Sequence, residues 1–341
     1  MTSPVWQIKK GVWAGATICS APAISQWFVG GAADITSKGK LILINSGLSE
    51  AIIDVEIWSE SGIQPPKVVT LKANSSVVQS LDSLDPGAKR IALHIAPRSG
   101  RVSAFLVDER GRGLKALGGD MVNASPDPSK VVVIPAIPHM KRSGKALGHT
   151  LRVIAPGDVD ARISVELIST KGSFVPLGFD DRAIKAGIVT EIALNPELIQ
   201  STFALKITSD RPIVASVYSS TYADSKSDFV WSTSTAEMKE YSLAVSGLAP
   251  TLVFAGEKIS ISLSILYTNK KEKKLTITGE GIATFKVPEN ARTINFTKVS
   301  DETVGGSLIS TQSGFGYLPL IPGSELTRVL LPSANIRVLN P

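Results

Sequence analysis

The three histidines, His94, His139 and His149, are the side chains best suited to acid–base or metal chemistry at neutral pH. His139 and His149 lie in or beside the polar stretch "HMKRSGKALGH", which is typical of a basic loop. Two such histidines do not make a metal site. His94 occurs in "IALHIAP", where strand alternation turns it outward. We therefore interpret His94 as a surface or turn-bonding histidine, and we predict no metal site.

Carboxylates and nucleophiles also lack a recognisable catalytic pattern. Asp180 and Asp181 follow "LGF", and adjacent carboxylates in a turn more often cap the turn than share a proton. The sequence contains no G-x-S-x-G elbow, P-loop, H-E-x-x-H, EF-hand loop or dinucleotide fingerprint. We predict a non-catalytic protein without catalytic residues or cofactors; an enzyme with an unrecognised site remains the alternative.

One aromatic residue, Trp58, lies at a position where a sugar ring could stack. Strand alternation in "IIDVEIW" turns Asp54, Glu56 and Trp58 to the face opposite Ile53. A flat ring beside two carboxylates is typical of a carbohydrate site. A structural role is the competing interpretation, since large aromatics are mostly buried. The candidate platforms for such a site are Trp27, Phe28, Trp58 and Trp231.

The segment that carries Trp58 is one copy of a repeat. "LILINSGLSEAIIDVEIW" (41–58) recurs as "LRVIAPGDVDARISVELI" (151–168), and Gly47 matches Gly157 at the turn. A looser third copy, "LVFAGEKISISLSIL" (252–266), has Gly256 at the corresponding position. The residues that match Trp58 are Ile168 and Leu266, so this position is apolar in every copy. That favours the structural role for Trp58.

Short runs of alternating polarity separated by turn residues follow each copy, and this pattern is typical of antiparallel sandwiches. We predict an all-β chain with two to three tandem immunoglobulin-like antiparallel β-sandwiches. The predicted divisions are an N-terminal segment packed on the body (1–35), repeat 1 (36–130), repeat 2 (131–240) and a divergent repeat 3 (241–341). The terminal stretch 335–341 resembles a first strand and is expected to join a neighbouring sheet.

Composition limits the partners. The chain has 341 residues, 19% of them charged and 43% hydrophobic, so it should fold. A net charge of +6 is too dispersed for a nucleic-acid footprint. Lysines at loop tips usually serve solubility, and contact with an anionic surface is the alternative. The candidates for such contact are Lys141, Arg142, Lys145, Lys270, Lys271, Lys273 and Lys274.

The amino terminus resembles a secretion signal, with Lys9 and Lys10 before "GVWAGATICSAPAIS". Its apolar part is weak, so we favour an ordered strand in which Trp6 and Trp13 pack on the body. We expect no signal or membrane anchor within this chain. The single cysteine, Cys19, allows no internal disulfide, and a buried thiol is the default expectation.

A family resemblance accompanies these features. "APAISQWFVGG…GKLILINSGLSEAIIDVEIWSESG", with "LRVIAPGDVDARISVELISTKG" further on, resembles actinobacterial envelope proteins known only as a domain of unknown function. Their pattern reads W-F/Y-x-G-G, then L-x-L-x-N-P-G, then a strand with D-V-x-V. Ser46 replaces the proline here, whereas "APGD" in the second copy keeps it.

The resemblance implies a location outside the cytoplasmic membrane and an association with glycosyltransferases and envelope assembly. It implies no catalytic residues. We therefore expect a scaffold or partner protein of an envelope-assembly machine, with a membrane or cell-wall protein as partner. A module that binds cell-wall polysaccharide is the alternative.

Overall fold

A computed structural model describes residues 2–9, 12–223 and 226–324. These residues form β-strands and loops with one 3-10 turn, Leu81–Ser83, and they contain no α-helix. The all-β prediction is confirmed. Stretch 335–341 lies outside the described residues, as does the side chain of Trp6. The chain begins with a hairpin of β1 (Pro4–Lys9) and β2 (Trp13–Ile18).

The first sandwich has two four-stranded antiparallel sheets, in the orders β3-β8-β5-β6 and β10-β9-β4-β7. Ile53, Val55 and Ile57 of β5 point inward and are fully buried, as strand alternation predicts. The strands are β3 (Gln26–Val29), β4 (Lys40–Asn45), β5 (Ala51–Ser59), β6 (Gly62–Leu71), β7 (Ser75–Ser80), β8 (Ile91–Ser99), β9 (Ser103–Arg112) and β10 (Lys115–Val122).

The second sandwich repeats this pairing with one long strand, β19, shared by both sheets. One half of β19 pairs with β11 and β15, and the other half pairs with β14 and β20. The strands are β11 (Ser129–Pro138), β12 (Lys141–Arg142), β13 (Lys145–Ala146), β14 (His149–Ile154), β15 (Ala161–Ser169), β16 (Gly172–Phe174), β17 (Arg182–Ile184), β18 (Thr190–Leu194), β19 (Thr202–Ala223) and β20 (Lys226–Thr233).

The third sandwich uses the same pairing again. Its β22 is continuous, and the register shifts between Gly256 and Lys258. Such a bulge bends a strand, which allows one strand to serve two sheets. The strands are β21 (Tyr241–Ala244), β22 (Thr251–Tyr267), β23 (Glu272–Lys286), β24 (Ala291–Val299), β25 (Val304–Thr311) and β26 (Gly314–Pro319).

The three sandwiches therefore share one topology. Strand β19 takes the place of β8 and β9, β22 takes the place of β4 and β5, and β23 takes the place of β6 and β7. Strand β3 lies in the segment 1–35 that the sequence division set apart, yet it pairs with β8 inside the first sandwich. Each sandwich encloses its own apolar core.

Apolar joints connect the sandwiches. Trp27 and Trp58 pack on Ile154, Val189 and Val214 between the first and second sandwiches. A second cluster, which includes Ile168, Val230, Val253 and Tyr317, lies between the second and third. Strand β2 of the N-terminal hairpin contacts both β10 and β26, so the hairpin links the first sandwich to the third. These contacts hold the sandwiches in fixed relative positions.

Candidate functional site

The four aromatic residues predicted as sugar platforms are all buried. Trp27 is 6% exposed, Trp58 4%, Phe28 1% and Trp231 0%. Trp27 and Trp58 stack on each other, with ring centroids 5.1 Å apart, in the joint between the first two sandwiches. Trp58 lies on the outer face of the first sandwich, as alternation predicts, but the second sandwich covers that face. This burial agrees with the structural role that the repeat comparison favoured for Trp58 and removes it as a sugar platform. None of the four offers an open ring face to a sugar.

The basic residues lie on two exposed hairpins of different sandwiches. Lys141, Arg142 and Lys145 belong to the β12–β13 hairpin, and Arg142 lies over the ring of Tyr222, 5.7 Å from its centroid. Lys270 and Lys271 lie in the turn between β22 and β23, where the sequence placed a hairpin, and Lys273 and Lys274 lie at the start of β23. Because the two groups belong to different sandwiches, no single sandwich carries all seven basic residues.

His139 and His149 form a buried pair, which corrects their interpretation as loop histidines. The β12–β13 hairpin folds back and brings His139 Nδ1 to 3.1 Å from His149 Nε2. His149 Nδ1 lies 2.9 Å from Ser219 Oγ. Burial, and then the neighbouring His139, lower the pKa of His149 to about 4. Within the described residues, no group of three or more metal-ligating side chains is present. The pair is neutral at physiological pH.

His94 is not a solitary surface histidine. Its Nε2 lies 3.0 Å from Ser25 Oγ, and its Nδ1 lies 2.8 Å from Glu56 Oε2. The Ser25 hydroxyl also donates to Asp127 Oδ1 at 2.6 Å. His94 and Glu56 face each other across β8 and β5, and the ring of Trp27 stacks on His94 with centroids 4.2 Å apart. Four sequence-distant side chains thus form one hydrogen-bonded chain.

A cleft of about 1050 Å³ opens between the second and third sandwiches. Val131 and Val133 of β11 line it from the second sandwich, and Ala255 and Val304 line it from the third. Gly281 has a φ of 71°, and a Cβ there would lie 3.2 Å from Ile168 Cγ2. Glycine at this position lets β23 approach β15 closely at the wall of the cleft.

Acidic side chains outnumber basic ones around this cleft. Six carboxylate residues and two lysines, Lys171 and Lys206, face it, although the whole chain is positively charged. Five of the carboxylates are exposed, whereas Glu166 is partly buried. The six are Asp127, Glu166, Glu237, Glu257, Glu280 and Glu302. We call this region the acidic cleft; its charge attracts cations and repels anions.

The walls of the acidic cleft are tied together. Tyr317 Oη, from the third sandwich, donates a hydrogen bond to the backbone oxygen of Thr233 at 2.9 Å. The same hydroxyl lies 2.8 Å from Thr235 Oγ1, and Thr235 lines the cleft. Because Tyr317 is fully buried, these bonds are shielded from water. The cleft is therefore a preformed site between two fixed domains.

A second group of acidic residues is enclosed where the sandwiches meet. Asp108 accepts a hydrogen bond from Trp231 Nε1 at 2.9 Å, and Asp120 accepts one from the Trp231 backbone N–H at 2.7 Å. Burial raises the pKa of Asp120 well above its ordinary value and that of Asp228 to about 7. These carboxylates are almost completely buried and do not line the acidic cleft. We assign them to domain assembly.

The family model for a family of unknown function, DUF5719, matches residues 5–288. The chain belongs to the DUF5719 family. This agrees with the resemblance in the sequence to a domain of unknown function. The match extends from the N-terminal hairpin through all of β23, so both cleft-forming sandwiches contribute to it. The search of curated proteins found no match.

Sequence reasoning missed the acidic cleft and the Ser25–His94–Glu56 chain. The carboxylates of the cleft are spread from Asp127 to Glu302 and share no motif. Strand parity already placed Glu56 and His94 on outer faces, but only the pairing of β5 with β8 brings them together. In the described ranges, no helix has the length and apolar character needed to cross a bilayer.

Proposed function

We propose that this protein is a scaffold of the cell envelope that docks a basic, extended segment of a membrane or cell-wall protein in the acidic cleft. The observation that carries this proposal is the accumulation of six carboxylates against two lysines around one cleft. A cationic segment would gain from complementary charge, which speeds encounter and selects partners.

The volume of the cleft is compatible with a short extended segment. Pockets for small ligands typically measure about 300–1,000 Å³, and this cleft reaches about 1050 Å³ between two domains. Its apolar lining, with Val131 49% exposed, would hold the aliphatic stems of lysine or arginine. The charged heads would then reach the exposed glutamates around the rim.

Fixed walls also support a docking role. A preformed site loses little conformational entropy on binding, so more of the contact energy contributes to affinity. The hydrogen bonds of Tyr317 and the apolar joint between the second and third sandwiches supply that rigidity. The envelope location rests on the sequence resemblance and is part of the proposal. Fractionation of cells that express the full-length protein tests it.

A labelled decapeptide of alternating lysine and alanine tests the docking role directly. Fluorescence anisotropy should show saturable binding at about 50 mM salt that weakens at least about tenfold at about 500 mM, because salt screens exposed charges. A glutamate–alanine peptide of equal length is the matched control and should not bind. Equal binding of both peptides, or none by the lysine peptide, would refute the proposal.

A further inference from the structure

We propose that Ser25, His94 and Glu56 form a nucleophile–base–carboxylate site that hydrolyses a carboxylic ester. Ser25 Oγ is 3.0 Å from His94 Nε2, and His94 Nδ1 is 2.8 Å from Glu56 Oε2. A nucleophile bonded to a base that a third group orients is the general pattern of covalent catalysis. The pattern is defined by geometry and roles, so the absence of a sequence motif does not argue against it.

The fold fixes the base rigidly. His94 and Glu56 are direct cross-strand neighbours, and Trp27 is the neighbour of His94 on the other side. The ring of Trp27 lies nearly parallel to the imidazole, at 9°, and prevents it from rotating away. The His94 side chain is 17% exposed, so its edge remains accessible. Ser25 precedes β3 and is partly exposed, as a nucleophile must be.

Asp127 controls the proton of the nucleophile. When the imidazole is neutral, its hydrogen lies on Nδ1 toward Glu56 and Nε2 is an acceptor. The one hydrogen of the Ser25 hydroxyl can then go either to Asp127 Oδ1 at 2.6 Å or to His94 Nε2 at 3.0 Å. Asp127 is exposed and also lines the acidic cleft. A cation bound at Asp127 would weaken its bond to Ser25 and let the hydroxyl turn toward His94. The substrate class that fits is an ester with a positively charged group.

The reaction follows from these positions. Ser25 Oγ forms a bond to the ester carbonyl carbon while its proton passes to His94 Nε2, and Glu56 stabilises the resulting imidazolium. The carbon–oxygen bond to the alcohol then breaks, and His94 returns the proton to the leaving alcohol. Water attacks the acyl-serine and gives its proton to His94, which passes it back to Ser25 Oγ as the carboxylic acid leaves. Glu56 acts through its hydrogen bond with His94 and is therefore a positioning residue.

A fluorophosphonate probe tests the site without knowledge of the substrate. Ser25 Oγ should bond to phosphorus, fluoride should leave, and mass spectrometry should place the adduct on Ser25 of the wild-type chain. Ser25→Ala should abolish labelling, and His94→Gln should slow it at least about 100-fold, as expected for loss of a general base. Asp127→Ala should speed labelling several-fold. As a control, substitution of the exposed Ser49, Ser49→Ala, should leave the labelling rate unchanged.

Hydrolysis of p-nitrophenyl acetate tests the role of Glu56. Glu56→Gln should lower kcat with little change in KM, and Glu56→Asp should restore part of the loss; matching melting temperatures would exclude a folding defect. No adduct on Ser25 in either wild type or Asp127→Ala would overturn the proposal, as would equal labelling of His94→Gln. This inference goes beyond the proposed docking role. Because the peptide titration does not depend on Ser25, the docking proposal and the hydrolysis proposal can each fail without the other.

Discussion

Asp228 of the second sandwich accepts a hydrogen bond from the backbone N–H of Gly119 in the first sandwich, with Oδ1 3.0 Å from the nitrogen. The other carboxylate oxygen has no partner among the described residues. Gly314 of the third sandwich packs so closely that a Cβ there would meet this oxygen. One carboxyl group therefore lies at the meeting point of all three sandwiches.

The pH dependence of stability should reveal this carboxyl. Burial raises the pKa of Asp228 from 3.8 to about 7, although the hydrogen bond from Gly119 lowers it. The folded state therefore holds the proton more tightly than the unfolded state. The protonated Asp228 carboxyl therefore adds at most about 4 kcal/mol to the free energy of unfolding. This contribution is fully present below about pH 4 and is lost as the pH rises to about 7. Urea unfolding of Asp228→Asn should lack this decline, whereas the exposed control Asp158→Asn should retain it.

Removal of Arg152 should destabilise the joint between the first two sandwiches. Arg152 is 1% exposed, donates to the Gly31 oxygen at 2.6 Å and to Glu191 at 2.7 Å, and lies over the ring of Trp231. Arg152→Ala would leave these acceptors without their donor, at a cost of about 3–5 kcal/mol. Thermal unfolding measures the loss.

Arg162 provides the matched control for that substitution. It pairs with Asp181, but both side chains are more than half exposed. Exposed ion pairs contribute about 0–1 kcal/mol, so Arg162→Ala should change the melting temperature little. Equal destabilisation by the two substitutions would show that the Arg152 contacts do not hold the joint together.

Acidification should weaken the second sandwich through the histidine pair. The pKa of His149 is lowered from 6.5 to about 4, so the folded state favours the neutral ring. The neutral His149 ring therefore adds at most about 3 kcal/mol to the free energy of unfolding. This contribution is fully present above about pH 6.5 and is lost as the pH falls to about 4. His149→Gln should flatten that part of the pH profile in urea unfolding. An unchanged slope would contradict the buried placement of the pair.

Cys19 should react readily in the folded protein. The structure places its side chain at the surface, which corrects the default expectation of a buried thiol. The rate with Ellman's reagent should lie within about tenfold of the rate for the unfolded chain, because exposure and thiolate fraction control the reaction. Strong protection in the native state would show that this segment is covered.

Local pattern was enough to predict the strands but not their neighbours. Alternation correctly placed Ile53, Val55 and Ile57 in the core, because one side of each strand faces the opposite sheet. The same alternation placed Trp58 outward, and that surface is covered by the second sandwich. A sequence pattern reports which face of a sheet a residue occupies, not whether another domain covers that face.

Long-range contacts explain what sequence reasoning missed at the candidate sites. Ser25, His94 and Asp127 lie on separate elements, and no spacing signals their contact. The contact between His139 and His149 was easier to predict, because Ser143 and Gly144 lie between them in the sequence. These two residues adopt the positive φ angles of a tight hairpin. The acidic cleft depends on the relative position of two domains, which no local pattern specifies.

The most direct measurement is the affinity of the lysine–alanine peptide for two triple variants with the same change in net charge. One variant neutralises the cleft by Glu257→Gln, Glu280→Gln and Glu302→Gln; the other changes three exposed glutamates outside it, Glu50, Glu197 and Glu289, to glutamine. If the acidic cleft is the docking site, the first variant should bind at least about tenfold more weakly and the second within about twofold of wild type. Equal weakening by both variants would mean that overall charge, and not the cleft, holds the peptide.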